Sequence, residues 1–252
     1  MPKAAATPKP EARPRTTRRA VLAALGAAAV DAAAPRRGSA AEAVDLQLVL
    51  AADVSRSIND ERFHIQRQGY ASAIADPRVV RAMTSGALGR IALTFFEWSG
   101  AGAQRTIVDW SLIQDQETAE VFAASLLPVP RPFAGPTAIG DAIRFAMEEL
   151  ARCPFPSRQR VIDVSGDGTN NNGMSVEIQR DLAVAAGVTV NGLAILSAEP
   201  SPFNPQHTHP PGGLDEYYRR NVTGGPGAFM LSVLGFETFG FAMVNKLSRE
   251  VA

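Results

Sequence analysis

The chain has little of several features that would point to a function class. It contains one cysteine, Cys153, in 252 residues. No intrachain disulfide can therefore form, and we expect a partly buried, inert thiol. The formal net charge is zero. Residues 44–252 hold 17 Lys and Arg against 22 Asp and Glu, a net charge of −5. This mildly acidic region therefore lacks the excess of basic residues that is expected of a protein that binds nucleic acid or an anionic membrane.

Sequence patterns of common enzyme sites are also missing. The glycine-rich stretch 224–227 lacks the Lys-Ser/Thr of a phosphate-binding loop, so nucleotide binding is not expected. The chain shows no nucleophile elbow, no Ser-His-Asp order and no Cys-His pair. His207 and His209 lie in a Pro-rich stretch without a third metal ligand, which favours a solvated loop over a transition-metal site. We expect His64 to lie on the surface.

Residues 1–43 have the layout of a targeting segment. A Lys- and Arg-rich start ends in Arg18-Arg19, an apolar stretch covers 20–30, and an A-x-A-like site follows at 41–43. The arginine pair resembles the twin-arginine type of signal, which carries folded proteins across a membrane. Eleven apolar residues span about 16 Å of helix, about half the hydrocarbon thickness, so a transmembrane helix is not expected.

We therefore predict a signal peptide over 1–43, a mature domain over 44–252, and a periplasmic or secreted location in a bacterium. The alternative for the first segment is a disordered basic tail. Asp31 and the pair Arg36-Arg37 favour that alternative, because charges so close to a cleavage site are unusual.

Apolar runs alternate with helical periodicity along the predicted mature chain. A nearly continuous apolar run is typical of a strand buried on both faces of a parallel sheet. Strand–helix alternation predicts an α/β fold with an open, mostly parallel sheet and helices on both faces. The short connection at 99–102 predicts that the strand after it is an antiparallel edge strand, the hairpin partner of the strand before it. The predicted strands are 46–52, 91–96, 104–110, 161–165, 188–196 and 228–234, and the predicted helices are 59–75, 115–127, 137–151, about 178–186 and from 237 onward.

Three polar segments fall at the predicted strand ends and helix starts. They are 53–57 (Asp-Val-Ser-Arg-Ser), Pro136-Thr137, and 165–168 (Ser-Gly-Asp-Gly). Ligands of open α/β sheets bind beyond the carboxyl ends of the strands, so we expect these segments to meet. They offer carboxylate and hydroxyl oxygens, which are the ligands that Mg²⁺ or Ca²⁺ prefers. Singly, each aspartate or serine could merely cap a helix.

In these segments the chain resembles the von Willebrand factor A-like family and its metal-ion-dependent adhesion site. The family's pattern is Asp-x-Ser-x-Ser after the first strand, a Thr before a middle helix, and an Asp in a Gly-containing turn after the fourth strand. The resemblance extends over about 44–250 and looks like a bacterial branch catalogued as domain of unknown function 1194, on the motifs 97–100, 137–141, 161–168 and 224–229. The matching residues, in order, are Asp53, Ser55, Ser57, Thr137 and Asp167.

The resemblance implies a Rossmann-like fold and one bound Mg²⁺, or Mn²⁺ or Ca²⁺, at those five residues. It implies that the hydroxyls contact the metal while the carboxylates often act through water. Such an electron-poor cation recruits a carboxylate from outside, usually an Asp or Glu of a protein partner. Arg56 departs from the family, where many members carry Gly; it could hold an acidic partner or point into solvent.

Binding rather than catalysis is the function that this reading favours. The alternative is a metal-dependent hydrolase or phosphoesterase that uses Asp53 and Asp167 to activate water. A scaffold that has lost its metal is a third possibility, against which the intact five-residue set argues. We further expect Asp163 to be a structural carboxylate, residues 170–173 to be turn residues, and the loop 197–213 to help choose the partner without holding a metal ligand.

Overall fold

The computed structural model describes residues 42–202 and 204–251. The predicted signal peptide lies outside the described residues, apart from its last two positions. The strands are β1 (Leu46–Asp53), β2 (Ile91–Trp98), β3 (Gln104–Ile113), β4 (Gln159–Gly166), β5 (Thr189–Leu196) and β6 (Met230–Leu234). The helices are α1 (Asp60–Ile74), α2 (Pro77–Met83), α3 (Gln116–Leu126), α4 (Ile139–Arg152), α5 (Val176–Ala185), α6 (Pro205–Thr208), α7 (Leu214–Tyr217) and α8 (Phe239–Glu250), with a π-helical turn at Tyr218–Val222 between α7 and β6.

The six strands form one sheet in the order β3-β2-β1-β4-β5-β6. Only the β2–β3 pair is antiparallel; the other four pairs are parallel. The predicted mostly parallel sheet with one antiparallel edge strand is therefore confirmed. After β1 the chain builds outward on one side through β2, and β4 later returns to the other side of β1. This topological switch point is where ligands of such sheets bind.

Helices cover both faces of the sheet, as predicted. Side chains alternate along the buried β1, so that Leu48 and Leu50 face one layer while Val49 and Ala51 face the other. The first layer packs against α1, α2, α3 and α8, and the second against α4 and α5. Burial on both faces explains why β1 and β2 read as continuous apolar runs rather than as alternating ones.

Two parts of the described chain differ from the sequence expectation. Helix α2 was not predicted, because Asp76-Pro77 looked like a helix stop. In the structure the Asp76 carboxylate accepts a hydrogen bond from Arg78 N at 2.8 Å, and Pro77 takes the first helical position, where its missing N–H costs nothing. The stretch after β5 is not a plain loop either, since α6, α7 and the π-helical turn occupy much of 205–222.

Asp163 lies in the middle of β4 as a structural carboxylate. Lys246, the only lysine in 44–252, is fully buried and lies 2.7 Å from Asp163 Oδ1. The same ammonium contacts Glu250 one turn later on α8. This buried cluster ties the last helix to the centre of the sheet, where an unpaired charge would be costly.

Cys153 is partly buried at the end of α4, and burial raises the pKa of its thiol, which fits the expected inert cysteine. Over the described residues, no helix combines the length and the apolar character needed to cross a membrane.

Candidate metal centre

The loop after β1 is held against its neighbours by backbone hydrogen bonds. Val54 N donates to Trp98 O at 2.8 Å, and Arg56 N donates to Gly135 O at 2.8 Å. The first bond ties the loop to the end of β2, and the second ties it to the segment that carries Thr137. The sheet and these two bonds therefore bring the first two predicted ligand segments to the same edge.

Four of the five predicted residues are linked in a chain of close polar contacts. Asp53 Oδ1 accepts a 2.7 Å hydrogen bond from Ser55 N, and Ser55 Oγ lies 3.2 Å from Ser57 Oγ. Ser57 Oγ donates to Asp167 Oδ1 at 2.6 Å. The carboxyl ends of β1 and β4, which are neighbours in the sheet, supply the two aspartates. In the described part of the chain, Thr137 makes no hydrogen bond to these four residues; the backbone bond between Arg56 and Gly135 ties its loop to the loop after β1.

The two carboxylates are buried close to each other. Asp53 is fully buried and Asp167 is 5% exposed. Burial, followed by the neighbouring Asp167 charge, raises the pKa of Asp53 well above its usual range. Burial also raises the pKa of Asp167, against the opposing hydrogen bond from Ser57. Asp53 Oδ2 has no hydrogen-bond partner among the described residues. Because a buried carboxylate oxygen without a donor is costly, this site fits a bound cation.

The glycines beside Asp167 permit a close approach of other groups. A Cβ at Gly166 would lie 2.5 Å from the Tyr218 hydroxyl and 3.0 Å from Asp53 Oδ2. A Cβ at Gly168 would lie 2.2 Å from the His207 ring. Both positions are therefore restricted to glycine by steric crowding at the site.

Thr137 is 1% exposed and is clamped by Asn171. Thr137 N donates to Asn171 Oδ1 at 2.9 Å, and Asn171 N donates to Thr137 O at 2.9 Å. The flanking Asn170 accepts from Gly140 N, and Asn172 accepts from Ala101 N at 2.7 Å. Residues 170–173 lie between β4 and α5 outside any helix or strand, which agrees with the predicted turn. In addition, each of the three asparagine side chains fastens a different neighbouring segment.

His207 was expected in a solvated loop, and the structure contradicts that expectation. His207 is 7% exposed, and its Nε2 lies 3.4 Å from Thr137 Oγ1. Burial lowers the pKa of His207, and the nearby Asp167 charge partly offsets this effect. His209 in the same stretch is exposed, and so is His64, as expected. The sequence pattern carries no sign of this contact, because His207 and Thr137 are 70 positions apart.

Two further side chains that the sequence did not single out support the loop after β1. Gln66 Nε2 donates to Asp53 O at 2.9 Å from helix α1. The Arg131 guanidinium donates to the carbonyls of Val54, Ser55 and Ile58 at 2.8, 2.9 and 2.7 Å. Three carbonyls on one cation fix the path of the loop more firmly than neutral hydrogen bonds would.

The donor set is that of a hard cation. Among the described residues, no three or more His, Cys, Asp or Glu side chains cluster as a metal site. The five predicted residues supply two carboxylates and three hydroxyls, which suit Mg²⁺ or Ca²⁺ rather than a thiolate-seeking metal. A cleft of about 390 Å³ reaches Asp167 from outside and is lined by Arg62, Glu199 and Glu237, among others.

Comparison with known proteins identifies the family and the fold. A family model described as "Protein of unknown function (DUF1194)" matches residues 43–252. Similar solved structures include proximal thread matrix protein 1 from the mussel byssus with a zinc-occupied MIDAS motif (TM-score 0.57, 18% identity, 84% of this chain and 47% of that chain). Another is the pilus adhesin SpaC from Lactobacillus rhamnosus GG in an open conformation (TM-score 0.56, 13% identity, 82% of this chain and 30% of that chain). A third is the SpRpn10 VWA domain (TM-score 0.50, 12% identity, 81% of this chain and 95% of that chain).

The chain spans less than half of the mussel protein and less than a third of the pilus adhesin. At such low identities these similarities show the fold alone. A search of curated protein sequences finds no match. The chain belongs to the DUF1194 family, and its fold is that of a von Willebrand factor A domain.

Proposed function

We propose that this chain is an exported bacterial protein that binds one divalent cation and, through it, an acidic side chain of a protein partner. The observation that carries the proposal is the meeting of Asp53 and Asp167, both buried, with the hydroxyls of Ser55 and Ser57 between them. A cation would offset the repulsion between the carboxylates and would give Asp53 Oδ2 a partner.

Mg²⁺ is the ion that the donor set favours, with Mn²⁺ and Ca²⁺ as alternatives. Ser55, Ser57 and Thr137 would contact the metal, and Asp53 and Asp167 would lie close by. When bound, the ion would supply positive charge that hydroxyl oxygens neutralise poorly. It would therefore attract a further carboxylate. The zinc in the MIDAS motif of the mussel protein supports a divalent ion in this kind of fold.

A protein partner fits the surroundings of the site. The cleft beside Asp167 gives access from outside and carries Arg62 together with Glu199 and Glu237, and the exposed Arg56 adds positive charge on the loop that holds Ser55 and Ser57. An acidic side chain would meet the cation and these guanidiniums together. The pilus adhesin among the similar structures is consistent with an adhesion or assembly role. Export through the twin-arginine-like segment 1–43 remains part of the proposal.

The hydrolase alternative needs a base that can reach water. His207 is the nitrogen base that the fold brings to the site, yet its Nε2 faces Thr137 and its Nδ1 faces Thr169 and Asn171. The ring therefore has its polar atoms directed at protein groups rather than at a substrate. This arrangement favours binding over hydrolysis.

The proposal is tested by capture of partners from a periplasmic extract on the immobilised full-length chain. We expect a partner to be retained in Mg²⁺ and released by chelator. The Asp167→Asn variant should retain none, whereas Asp181→Asn, an exposed carboxylate of α5, should behave as wild type. Retention under chelator and by Asp167→Asn would contradict the proposal. Turnover of a phosphate ester that requires metal and Asp167 would replace it with the hydrolase.

A further inference from the structure

Three residues form a closed set of contacts through the backbone N–H and hydroxyl of Thr137 and the side chains of the other two. We call it the Thr137 ring (Thr137, Asn171 and His207). Thr137 N is 2.9 Å from Asn171 Oδ1, Asn171 Nδ2 is 3.4 Å from His207 Nδ1, and His207 Nε2 is 3.4 Å from Thr137 Oγ1. Because Thr137 is a predicted metal ligand, the direction of each bond in the ring decides which lone pair of its hydroxyl is free.

The first bond fixes the orientation of the Asn171 amide. A backbone N–H can donate only to the amide oxygen, so Asn171 Oδ1 faces Thr137 N and the NH₂ group faces His207. The amide orientation is thus assigned from the hydrogen-bond network. The reciprocal bond from Asn171 N to Thr137 O, at 2.9 Å, holds the two residues in this register.

The second bond fixes the tautomer of His207. An NH₂ group can only donate, so the facing Nδ1 must be an acceptor without a proton. The Thr169 hydroxyl, 3.4 Å from the same nitrogen, can donate to it as well. An imidazole whose Nδ1 carries no proton has its one proton on the other nitrogen, and therefore Nε2–H points at Thr137 Oγ1.

We propose that His207 is a positioning residue of the metal centre, which donates from Nε2 to the Thr137 hydroxyl and directs a lone pair of that oxygen toward the cation. The inference rests on the proposed metal site. Hydrogen bonds from outside the ligand set orient metal ligands in this way in other proteins, and their loss costs about 10- to 100-fold in metal affinity.

The lack of a side chain at Gly168 leaves space for the His207 imidazole. The His207 ring occupies the space that a Cβ at Gly168 would take, with the nearest ring atoms 2.2 Å from that position. His207 O also accepts a 2.9 Å hydrogen bond from Thr169 N, which anchors α6 against the turn after β4. The loop 197–213 therefore contributes to the metal centre. Shortening it across His207 is expected to weaken metal binding as well as partner binding, although the loop holds none of the predicted metal ligands.

The tautomer is measured by long-range ¹H–¹⁵N NMR of the histidine rings in the full-length chain, with His207 assigned from the signals lost in His207→Gln. We expect the Nε2–H tautomer in the metal-free protein and in the Mg²⁺-loaded protein. An Nδ1–H tautomer, or an Nε2 that loses its proton to bind the metal directly, overturns the inference. This readout does not depend on whether wild type binds Mg²⁺.

Metal affinity is measured by calorimetry with Mg²⁺ on matched variants of the full-length chain. His207→Met removes the donor and should lower the affinity about 10- to 100-fold. His207→Gln keeps an N–H donor in reach and should stay within about threefold of wild type. Gly168→Ala should resemble His207→Met because it displaces the ring. His209→Met on an exposed histidine and Gly240→Ala, where a Cβ meets only ordinary contact at 3.6 Å, should change nothing.

The outcomes separate this inference from the proposed function. If the wild-type protein binds no divalent cation, the proposed function is contradicted. The measured tautomer of His207 would still test the hydrogen bonds of the Thr137 ring. Wild type that binds Mg²⁺ while His207→Met binds equally well contradicts the role of His207 alone. A His207→Gln variant as weak as His207→Met contradicts it too, because the donor would then not be what matters.

Discussion

Ser57 Oγ donates a 2.6 Å hydrogen bond to Asp167 Oδ1 across 110 positions of the sequence. The bond joins the loop after β1 to the turn after β4, the two neighbouring strands at the switch point of the sheet. Because the Ser57 hydroxyl proton points at Asp167, the Ser55 hydroxyl at 3.2 Å is the donor of their mutual contact, and one lone pair of Ser57 Oγ remains available for a cation. The protein's own residues therefore supply the hydrogen bonds that hold the predicted ligands in place.

Removing this hydroxyl should weaken metal binding without unfolding the protein. Ser57→Ala deletes a proposed ligand and leaves Asp167 without its donor. A hydrogen bond to a charged group contributes about 1.5–3 kcal/mol, which corresponds to roughly 10- to 100-fold in affinity. Displacement of Mn²⁺, followed by electron paramagnetic resonance, measures the change. The exposed Ser125→Ala on α3 serves as the control, and equal affinity of the two variants would contradict the assignment of Ser57.

Arg131 should be needed for the path of the loop after β1. Arg131→Met keeps an apolar stem of similar size and removes the donor to the carbonyls of Val54, Ser55 and Ile58. We expect the free energy of unfolding in urea to fall by about 1.5–3 kcal/mol, together with weaker metal binding. Arg78→Met, whose side chain is 61% exposed, should change stability by less than about 0.5 kcal/mol. A loss of the same size in both variants would count against the role of Arg131.

The buried cluster of Lys246, Asp163 and Glu250 should make stability fall with rising pH. Burial, followed by the Asp163 charge, raises the pKa of Glu250 to about 8 from its ordinary 4.5. Between these values the folded protein keeps a proton that the unfolded chain has lost. Stability therefore declines as pH rises through this window, by at most about 1.4 kcal/mol per pH unit for one proton.

Glu250→Gln removes the titrating carboxyl group and should reduce the fall in the free energy of unfolding with rising pH. Urea unfolding at pH 5, 6.5 and 8 measures the effect, with Glu120→Gln on the exposed face of α3 as control. We expect wild type and the control to lose stability over this range relative to Glu250→Gln. Parallel profiles for all three proteins would show that Glu250 ionises with an ordinary pKa.

The sequence was most informative where function follows from position along a strand. Asp53 and Asp167 could be located because apolar runs end directly before them, and parallel strands place their carboxyl ends at one edge. The predicted α/β sheet was confirmed for the same reason. The spacing of apolar residues indicates which faces of a helix or strand are buried. A strand that is buried on both faces gives the clearest pattern, a continuous apolar run.

Hydrophobic periodicity could not predict contacts between residues that are far apart in the sequence. His207, Arg131 and Lys246 act through partners 70 or more positions away. No local pattern distinguishes such side chains from solvated ones. The helix α2 was missed for a different reason, since Asp-Pro both ends one helix and begins another, and only the Asp76 cap to Arg78 decides between them.

Export is expected to depend on the arginine pair of the first segment. Replacement of Arg18 and Arg19 by lysine should retain the protein in the cytoplasm, because the twin-arginine pathway reads that pair. Fractionation of cells followed by immunoblotting measures the distribution, and the replacement of Arg36 and Arg37 by lysine is the matched control. An unchanged periplasmic yield would contradict a twin-arginine route.

Calorimetric titration of the chelator-stripped, full-length chain with Mg²⁺, Mn²⁺ and Ca²⁺ tests the central claim most directly. We expect one site per chain for at least one of these ions, absent in Asp167→Asn and retained in Asp181→Asn. At a hundredfold excess of the ion over its Kd, binding should also stabilise the fold by about 2.7 kcal/mol. No binding heat for any of the three ions, from a protein shown to be folded, would contradict the metal centre and the partner recognition built on it.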